Sequence, residues 1–411
     1  MPRRRQNSIG VMRWIDHWVG LPLCFLLGVL VSLVRKIRPR RPCAIRGTRP
    51  IVVFKFFGLG AIMQATPLLR AIRRRYPEAH LTFVSFAANE GLLRRLGLCD
   101  EVRIIRTGPP WQFVADTLRH VVWMRRRRVE AVLDLEFFSK FSTLVAFLSG
   151  APVRIGFHLN DFWRYTLVTH PVYFNYYRHI TDVYRQMAER LDVMIHDLRL
   201  SRIEPEPAAA TACETLLREH GWAPGTPLLA VNVNAGDMSL ERRWPIERFA
   251  DVAATLLSRH AALRIVLTGS PDERDYVVTL VDRLPDGLRD RVIVAAGRWT
   301  LDELLGAFSR FRGFLTNDSG PMHLAASYDV PMVSLWGPGR PEFYAPRGAL
   351  HRTIYQDYPC SPCLYMFTAF EGMWCGHEGW CMRAIEVPAV VEAVETMLTA
   401  AAARAERESL S

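Results

Sequence analysis

Short apolar runs alternate with amphipathic segments along most of the chain, and the alternation starts twice. IVVFKFF (51–57) precedes AIMQATPLLRAIRRRY (61–76), whose apolar residues recur at helical spacing. LTFVSF (81–86), EVRIIR (101–106), AVLDLEF (131–137) and VRIGF (153–157) follow, with helical text between them. IEPEPAAA (203–210) reads as a linker. The pattern then resumes with LLAVNVNAG (228–236), RIVLTGS (264–270), RVIVAAG (291–297), GFLTNDSG (313–320) and PMVSLWG (331–337). Buried strands separated by helices predict parallel sheets covered on both faces. The expected class is α/β, with two Rossmann-like domains over 47–205 and 206–385, facing a central cleft. Ligands in such folds bind near the carboxyl ends of strands. Helical text over 386–411 is expected to pack back across the domain joint. No short internal repeat is visible.

One junction carries more chemistry than the rest. TNDSGPMHLAASYDVPMVSLWGPGR (316–340) reads as strand, tight turn, helix, strand. Pro321 fits a first helical turn, where its missing N–H costs nothing. A helix start presents free amides and partial positive charge, which suits an anion such as a diphosphate.

Charge is concentrated at one end. The 411 residues carry a formal net charge of +11, and residues 1–46 hold ten basic residues against one acid, leaving only +2 for the rest. A nucleic-acid binder carries its basic patch on the folded surface, so no nucleic-acid partner is expected. The basic segment brackets WVGLPLCFLLGVLVSLV (18–34). Seventeen helical residues reach about 25 Å, short of a hydrocarbon core of about 30 Å, and Pro22 is expected to kink them. Basic residues flank both sides, so orientation is not encoded, and no small-residue cleavage site follows. Residues 1–46 are therefore expected to attach the protein to the inner-membrane surface, as a monotopic helix or hairpin or as a single span. Eight cysteines without a secretory context indicate a reducing compartment. Cys360, Cys363, Cys375 and Cys381 have the spacing of a structural zinc site.

The words KFFGLGAIMQATPLLRAIRRRYP (55–77), RRWPIERFA (242–250), LTGSPDER (267–274) and TNDSGPMHLAA (316–326) together resemble family 9 glycosyltransferases, the ADP-heptose:lipopolysaccharide heptosyltransferases. The resemblance runs from about Ile51 to about Val387. It implies the GT-B fold, a nucleotide-sugar donor such as ADP-heptose in the C-terminal domain, a lipid-linked glycan acceptor, inversion at the anomeric carbon and no cofactor for catalysis. It places Asp318, Ser319, Gly320 and His323 at the donor, with Arg242 on phosphate and Glu273 near the nucleotide. A guanidinium can fork onto phosphate oxygens. His323 reads equally as a core histidine, and Glu273 as an acid at a helix start. Lys55, Gly58 and Gly60 match the glycine loop that faces the donor–acceptor junction.

The sequence departs from the family at the base. The resemblance implies an aspartate after the glycine loop, where this chain has Ala61. The acceptor hydroxyl must lose a proton as it attacks, so another group is needed. Glu136, closing the fourth strand, is the expected base; the alternative is an acceptor-binding residue or one salt-bridged to Lys140, which is itself placed on the acceptor side. Asp134 lies on the same side but deeper; Glu90, Asp161 and His158 are alternatives. Without any base the scaffold would bind sugar nucleotide or glycan and not transfer. A dinucleotide fingerprint is not met, because Gln64 and Ala65 stand where its third glycine belongs.

Overall fold

The structure is a computed structural model that describes residues 16–37, 45–158, 163–236, 239–363 and 375–409. The chain forms two compact units, the first running to Ser201 and the second beginning at Arg202.

In the first unit, a π-helical stretch, Asp16–Gly20, leads into α1 (Leu21–Ile37). The Rossmann-like part follows as β1 (Ile51–Phe54), α2 (Leu59–Arg75), β2 (Leu81–Phe86), α3 (Glu90–Leu96), β3 (Glu101–Ile105), α4 (Pro110–Arg126), β4 (Ala131–Asp134), α5 (Lys140–Leu148), β5 (Val153–His158), β6 (His170–Tyr173) and α6 (Ile180–Glu189). The strands form one parallel sheet in the order β3-β2-β1-β4-β5-β6. Residues from β1, β2, β4, α4 and α5 share one apolar core. Pro22 falls in the first turn of α1, following the π-helical stretch, so the irregularity lies at Gly20 and Leu21.

The second unit contains α7 (Pro207–Glu219), β7 (Leu228–Asn232), α8 (Ile246–Arg259), β8 (Arg264–Leu267), α9 (Arg274–Asp282), α10 (Asp286–Arg289), β9 (Val292–Val294) and α11 (Leu301–Phe308). It continues with β10 (Gly313–Asn317), α12 (Gly320–Ser327), β11 (Met332–Trp336), α13 (Pro341–Tyr344), β12 (His351–Tyr355), α14 (Trp380–Arg383) and α15 (Val387–Ser409). Its parallel sheet has the order β12-β11-β10-β7-β8-β9. The C-terminal helix, α15, packs on α8, β10 and β11 within this unit, where Val390, Val394 and Met397 enter the core.

All ten expected strands form. Two more close the sheets as edges, β6 and β12. Both are partly exposed and mix polar residues with apolar ones, and β6 carries Pro171, which an edge tolerates.

Candidate active site

The carboxyl ends of β7, β8, β9 and β10 surround a pocket of about 510 Å³ within the second unit. Its lining includes Asn234, Thr268, Glu273, Trp299, Ser319 and Gly320. Three asparagines lie buried beneath it, and they differ in what their amides do. Asn232 donates to Ser319 Oγ (3.0 Å) and accepts from the Asn234 amide (3.2 Å). Asn317 donates to the Val233 carbonyl (2.9 Å) and accepts from the Trp244 amide (3.1 Å), tying the W-P turn to the sheet. The Asn234 side chain is 2% exposed, yet neither its Oδ1 nor its Nδ2 has a partner among the described residues. Buried amides are nearly always paired, so this one demands an explanation. Trp299 belongs to the lining, and its Nε1 is buried without a partner among the described residues.

The helix start above them is open. Ser319 occupies the N-cap position of α12 but does not cap it, because its hydroxyl is engaged with Asn232 and Thr316. The first amides of α12 therefore have no side-chain acceptor at that cap, and the helix dipole favours an anion there. Gly320 and Ser319 line the pocket; Asp318 and His323 do not. Asp318 pairs with Arg242 instead, Nη1 to Oδ2 at 3.4 Å, and burial raises its carboxyl against the opposing guanidinium. Arg242 also donates to the Ala235 carbonyl. His323 is buried under the first turn of α12. Glu273 lines the pocket, and its Oε2 accepts from the Ser270 amide (2.8 Å) in a capping box.

The first unit overturns the expected base. Glu136 is fully buried. Its Oε1 accepts from the amides of Phe56 (2.7 Å) and Phe57 (3.1 Å), and its Oε2 pairs with Lys55 Nζ at 2.9 Å. A carboxylate so enclosed organises the glycine loop and is not presented to an acceptor. These bonds also end β1 at Phe54, short of the apolar run in the sequence. Lys55 is thereby held against Glu136 beside the glycine loop. Lys140 is not the partner of Glu136. It is buried and pairs with Asp16, Nζ to Oδ2 at 3.6 Å. Gly58 has φ +84 and begins α2, with Gly60 in its first turn. Asp134 is buried and accepts from the hydroxyls of Ser142 (2.8 Å) and Thr143 (2.9 Å). Glu90 binds Arg94 one turn along α3. Asp161 lies outside the described residues. His158 closes β5 at the carboxyl edge, half-buried beside Tyr165 at 5.1 Å between ring centroids, with Nδ1 unpartnered among the described residues.

Residues 118–373 match Glycosyltransferase family 9 (heptosyltransferase). The chain belongs to this family. It is an enzyme of the glycosyltransferase class. Lipopolysaccharide heptosyltransferase 2 of Salmonella typhimurium is 24% identical over 306 residues, covering 72% of this chain and 85% of the relative. A family 9 glycosyltransferase structure from Veillonella parvula superposes with TM-score 0.67 at 24% identity, over 85% of this chain and 97% of that one. The E. coli ADP-heptose lps heptosyltransferase II structure gives 0.64 at 20% identity, over 85% and 98%. These likenesses establish the GT-B fold of two parallel-sheet α/β domains.

In this family 9 glycosyltransferase the four cysteines expected to hold zinc sit close enough to one another to affect each other's acidity. Among the described residues no three His, Cys, Asp or Glu side chains converge to hold a metal. Cys360, Cys363, Cys375 and Cys381 are free thiols. Burial and then the nearby thiols Cys360 and Cys375 raise Cys363, and Cys381 is pushed up to about 11, mainly by burial. Cys375 Sγ accepts from the Gly379 amide (3.3 Å). Asn234, Thr268 and Trp299 were not singled out from the sequence. The available signal was NVNAG, where polar residues interrupt a buried strand at its carboxyl end.

Proposed function

We propose that the protein transfers heptose from ADP-heptose, with inversion, to a lipid-linked saccharide such as the lipopolysaccharide core, at the cytoplasmic face of the inner membrane. The observation that carries this reading is the second-unit pocket, where the unpaired Asn234 amide and Trp299 indole lie beside an uncapped helix start. Those groups suit a nucleoside diphosphate: polar partners for the nucleoside end and free amides for phosphate oxygens. The names of the relatives, lipopolysaccharide heptosyltransferase 2 and ADP-heptose lps heptosyltransferase II, support heptose and the core acceptor.

In the reaction an acceptor oxygen forms a bond to the anomeric carbon while the bond from that carbon to the diphosphate breaks. ADP leaves with the electron pair, and the acceptor proton passes to a base. Ala61 cannot take it, and Glu136 is enclosed. His158 carries the role best among the candidates, because its imidazole is partly exposed at the carboxyl edge of the first sheet. Residues 1–46 hold the enzyme at the membrane that carries the acceptor.

The test supplies the full chain with ADP-heptose, UDP-sugars and GDP-sugars over an envelope lipid extract, reading nucleotide release and glycolipid mass. Transfer from ADP-heptose is expected. His158→Ala should lower kcat about 10²–10⁴-fold, the usual contribution of a general base, with donor Kd unchanged. Donor binding without turnover would sink the transfer reading. Full activity in His158→Ala would leave transfer standing and remove His158 as the base.

A further inference from the structure

Three helices of the first unit lie in a row, and two of them turn apolar residues outward. Leu27 of α1 packs with Leu144 and Phe147 of α5. On the other side of α5, Phe141 meets Phe113 of α4 at 4.9 Å between ring centroids, and Arg125 Nε of α4 donates to the Leu148 carbonyl at 2.7 Å. The exposed apolar residues of α4 are Trp111, Val114, Leu118 and Val122, spaced by three and four as one face of a helix requires. On α1 the exposed set includes Leu26, Val29, Leu30, Leu33 and Ile37. Leu148 of α5 is exposed between them. Exposed apolar faces on neighbouring helices suit an interaction surface.

The way α1 is held argues against its crossing a bilayer. The helical segment Asp16–Ile37 has 22 residues, about 33 Å at 1.5 Å each, enough to span. Both of its ends, however, are pinned to the first unit. Asp16 accepts from the amides of Lys140 (3.1 Å) and Phe141 (2.7 Å), acting as an acid at the start of α5. At the other end Arg35 donates to the carbonyls of Thr166 (3.0 Å) and Val168 (3.3 Å). Gly20 is needed for the approach, since a Cβ there would stand 2.9 Å from Lys140 Cβ. Between the pins, Cys24, Gly28 and Val31 are buried, and Cys24 and Val31 cluster with Leu167. A helix fixed along its length to a folded unit lies beside it.

Charge selects the partner. The C-terminal ends of α4 and α5 are joined by the Arg125 bond, and there Arg125, Arg126, Arg127 and Arg128 are all exposed. Arg49, Arg125 and Arg128 line a pocket of about 410 Å³ beside Ser149 and Gly150 at the end of α5. Lys36 is exposed at the end of α1. Across α1, α4 and α5 the one carboxylate is Asp116, which is buried and bound by Arg106 and Arg119. An apolar face with a basic rim and no free acid matches an anionic lipid surface.

We propose that this three-helix face rests on an anionic bilayer, with α1 in the plane of one leaflet and α4 beside it. Membrane binding then belongs to the folded first unit and not to residues 1–46 alone; this rests on the membrane attachment proposed above. The test sediments the full chain with phosphatidylcholine vesicles, with and without phosphatidylglycerol. Two variants run beside the wild type, Trp111→Ser/Leu118→Ser and Arg126→Glu/Arg127→Glu. Each should weaken binding to anionic vesicles about tenfold or more, at roughly a few-fold per basic residue near the surface, while the melting temperature and donor affinity stay unchanged. Alkaline carbonate should release the wild type. Wild type that ignores vesicles would sink membrane attachment itself. Wild type that binds while both variants bind equally well would overturn the three-helix face alone, as would a wild type that resists carbonate.

Discussion

The turn after β1 and the turn after β10 are built on the same plan and furnished in opposite ways. Each leads from a parallel strand through a short turn into a helix whose start lacks a side-chain cap. Beneath the first lies a buried ionic group: Glu136 holds the Phe56 and Phe57 amides and is neutralised by Lys55. Beneath the second lie neutral amides, two of them spent on the protein and one, Asn234, spent on nothing described. The first turn is stapled from within. The second keeps hydrogen-bonding capacity turned toward an open pocket. Of the two turns, the second is the one whose polar groups the described protein has not consumed.

The largest way to break this contrast is to remove the staple. Glu136→Gln leaves Lys55 as an uncompensated buried cation, which should cost about 3–5 kcal/mol of stability, read from urea unfolding of the full chain. Adding Lys55→Met should restore most of the loss, since removing both charges leaves none unpaired. A loss under about 1 kcal/mol in Glu136→Gln, on the scale of a surface pair, would mean that the loop is held by something else, and the contrast between the turns would fail.

Asp134 tests the same charge cluster by pH. Burial pushes its carboxyl up to about 6, opposed by the Arg164 guanidinium and the Ser142 and Thr143 hydroxyls. The folded state thus binds this proton more tightly than the unfolded chain does. Its contribution is complete below the ordinary carboxylate pKa and is lost as pH rises through about 6. Between about pH 4 and pH 7 the wild type should therefore lose about 3 kcal/mol that Asp134→Asn does not lose, a shift of about two pKa units converted at 1.36 kcal/mol each. The difference between the two proteins isolates the term from every other titrating group. A difference that stays flat over that range would show Asp134 ionised at its ordinary value, with Arg164 outweighing burial.

The fold was legible because its signal is repeated. The ten expected strands carry short runs rich in apolar residues, and helical spacing between them leaves one class open. The two missed strands are edges, β6 and β12, which pair on one side only and keep polar residues on their exposed faces. The site was legible only in part. Ser319, Gly320 and Glu273 line the second-unit pocket, but partner choice is a tertiary fact. Nothing local distinguishes a lysine that pairs with Glu136 from one that pairs with Asp16, so the sequence did not show that Lys55 rather than Lys140 is the partner of Glu136. Glu136 was misassigned for the same reason: a carboxylate at a strand end is the same residue type whether it faces a ligand or the loop's own amides. Asn234 escaped notice because its significance lies in what it fails to bond.

That absence gives the finest test of the contrast. Asn234→Ala removes two buried polar atoms that have no partner among the described residues. An asparagine serving the fold would lose stability on truncation, about 1 kcal/mol for each bond broken. Here no such bond is lost, and an unpaired buried amide is itself unfavourable, so stability should hold or rise by a few tenths of a kcal/mol. Nucleotide affinity should move the other way. Losing one or two hydrogen bonds in a buried pocket weakens binding by about 1–2 kcal/mol, roughly a five- to thirtyfold rise in Kd for ADP. Calorimetric titration with ADP and thermal unfolding of the same sample read both quantities. Stability and affinity falling together would make Asn234 a structural residue like Asn232 and Asn317, and the second turn would then be as closed as the first.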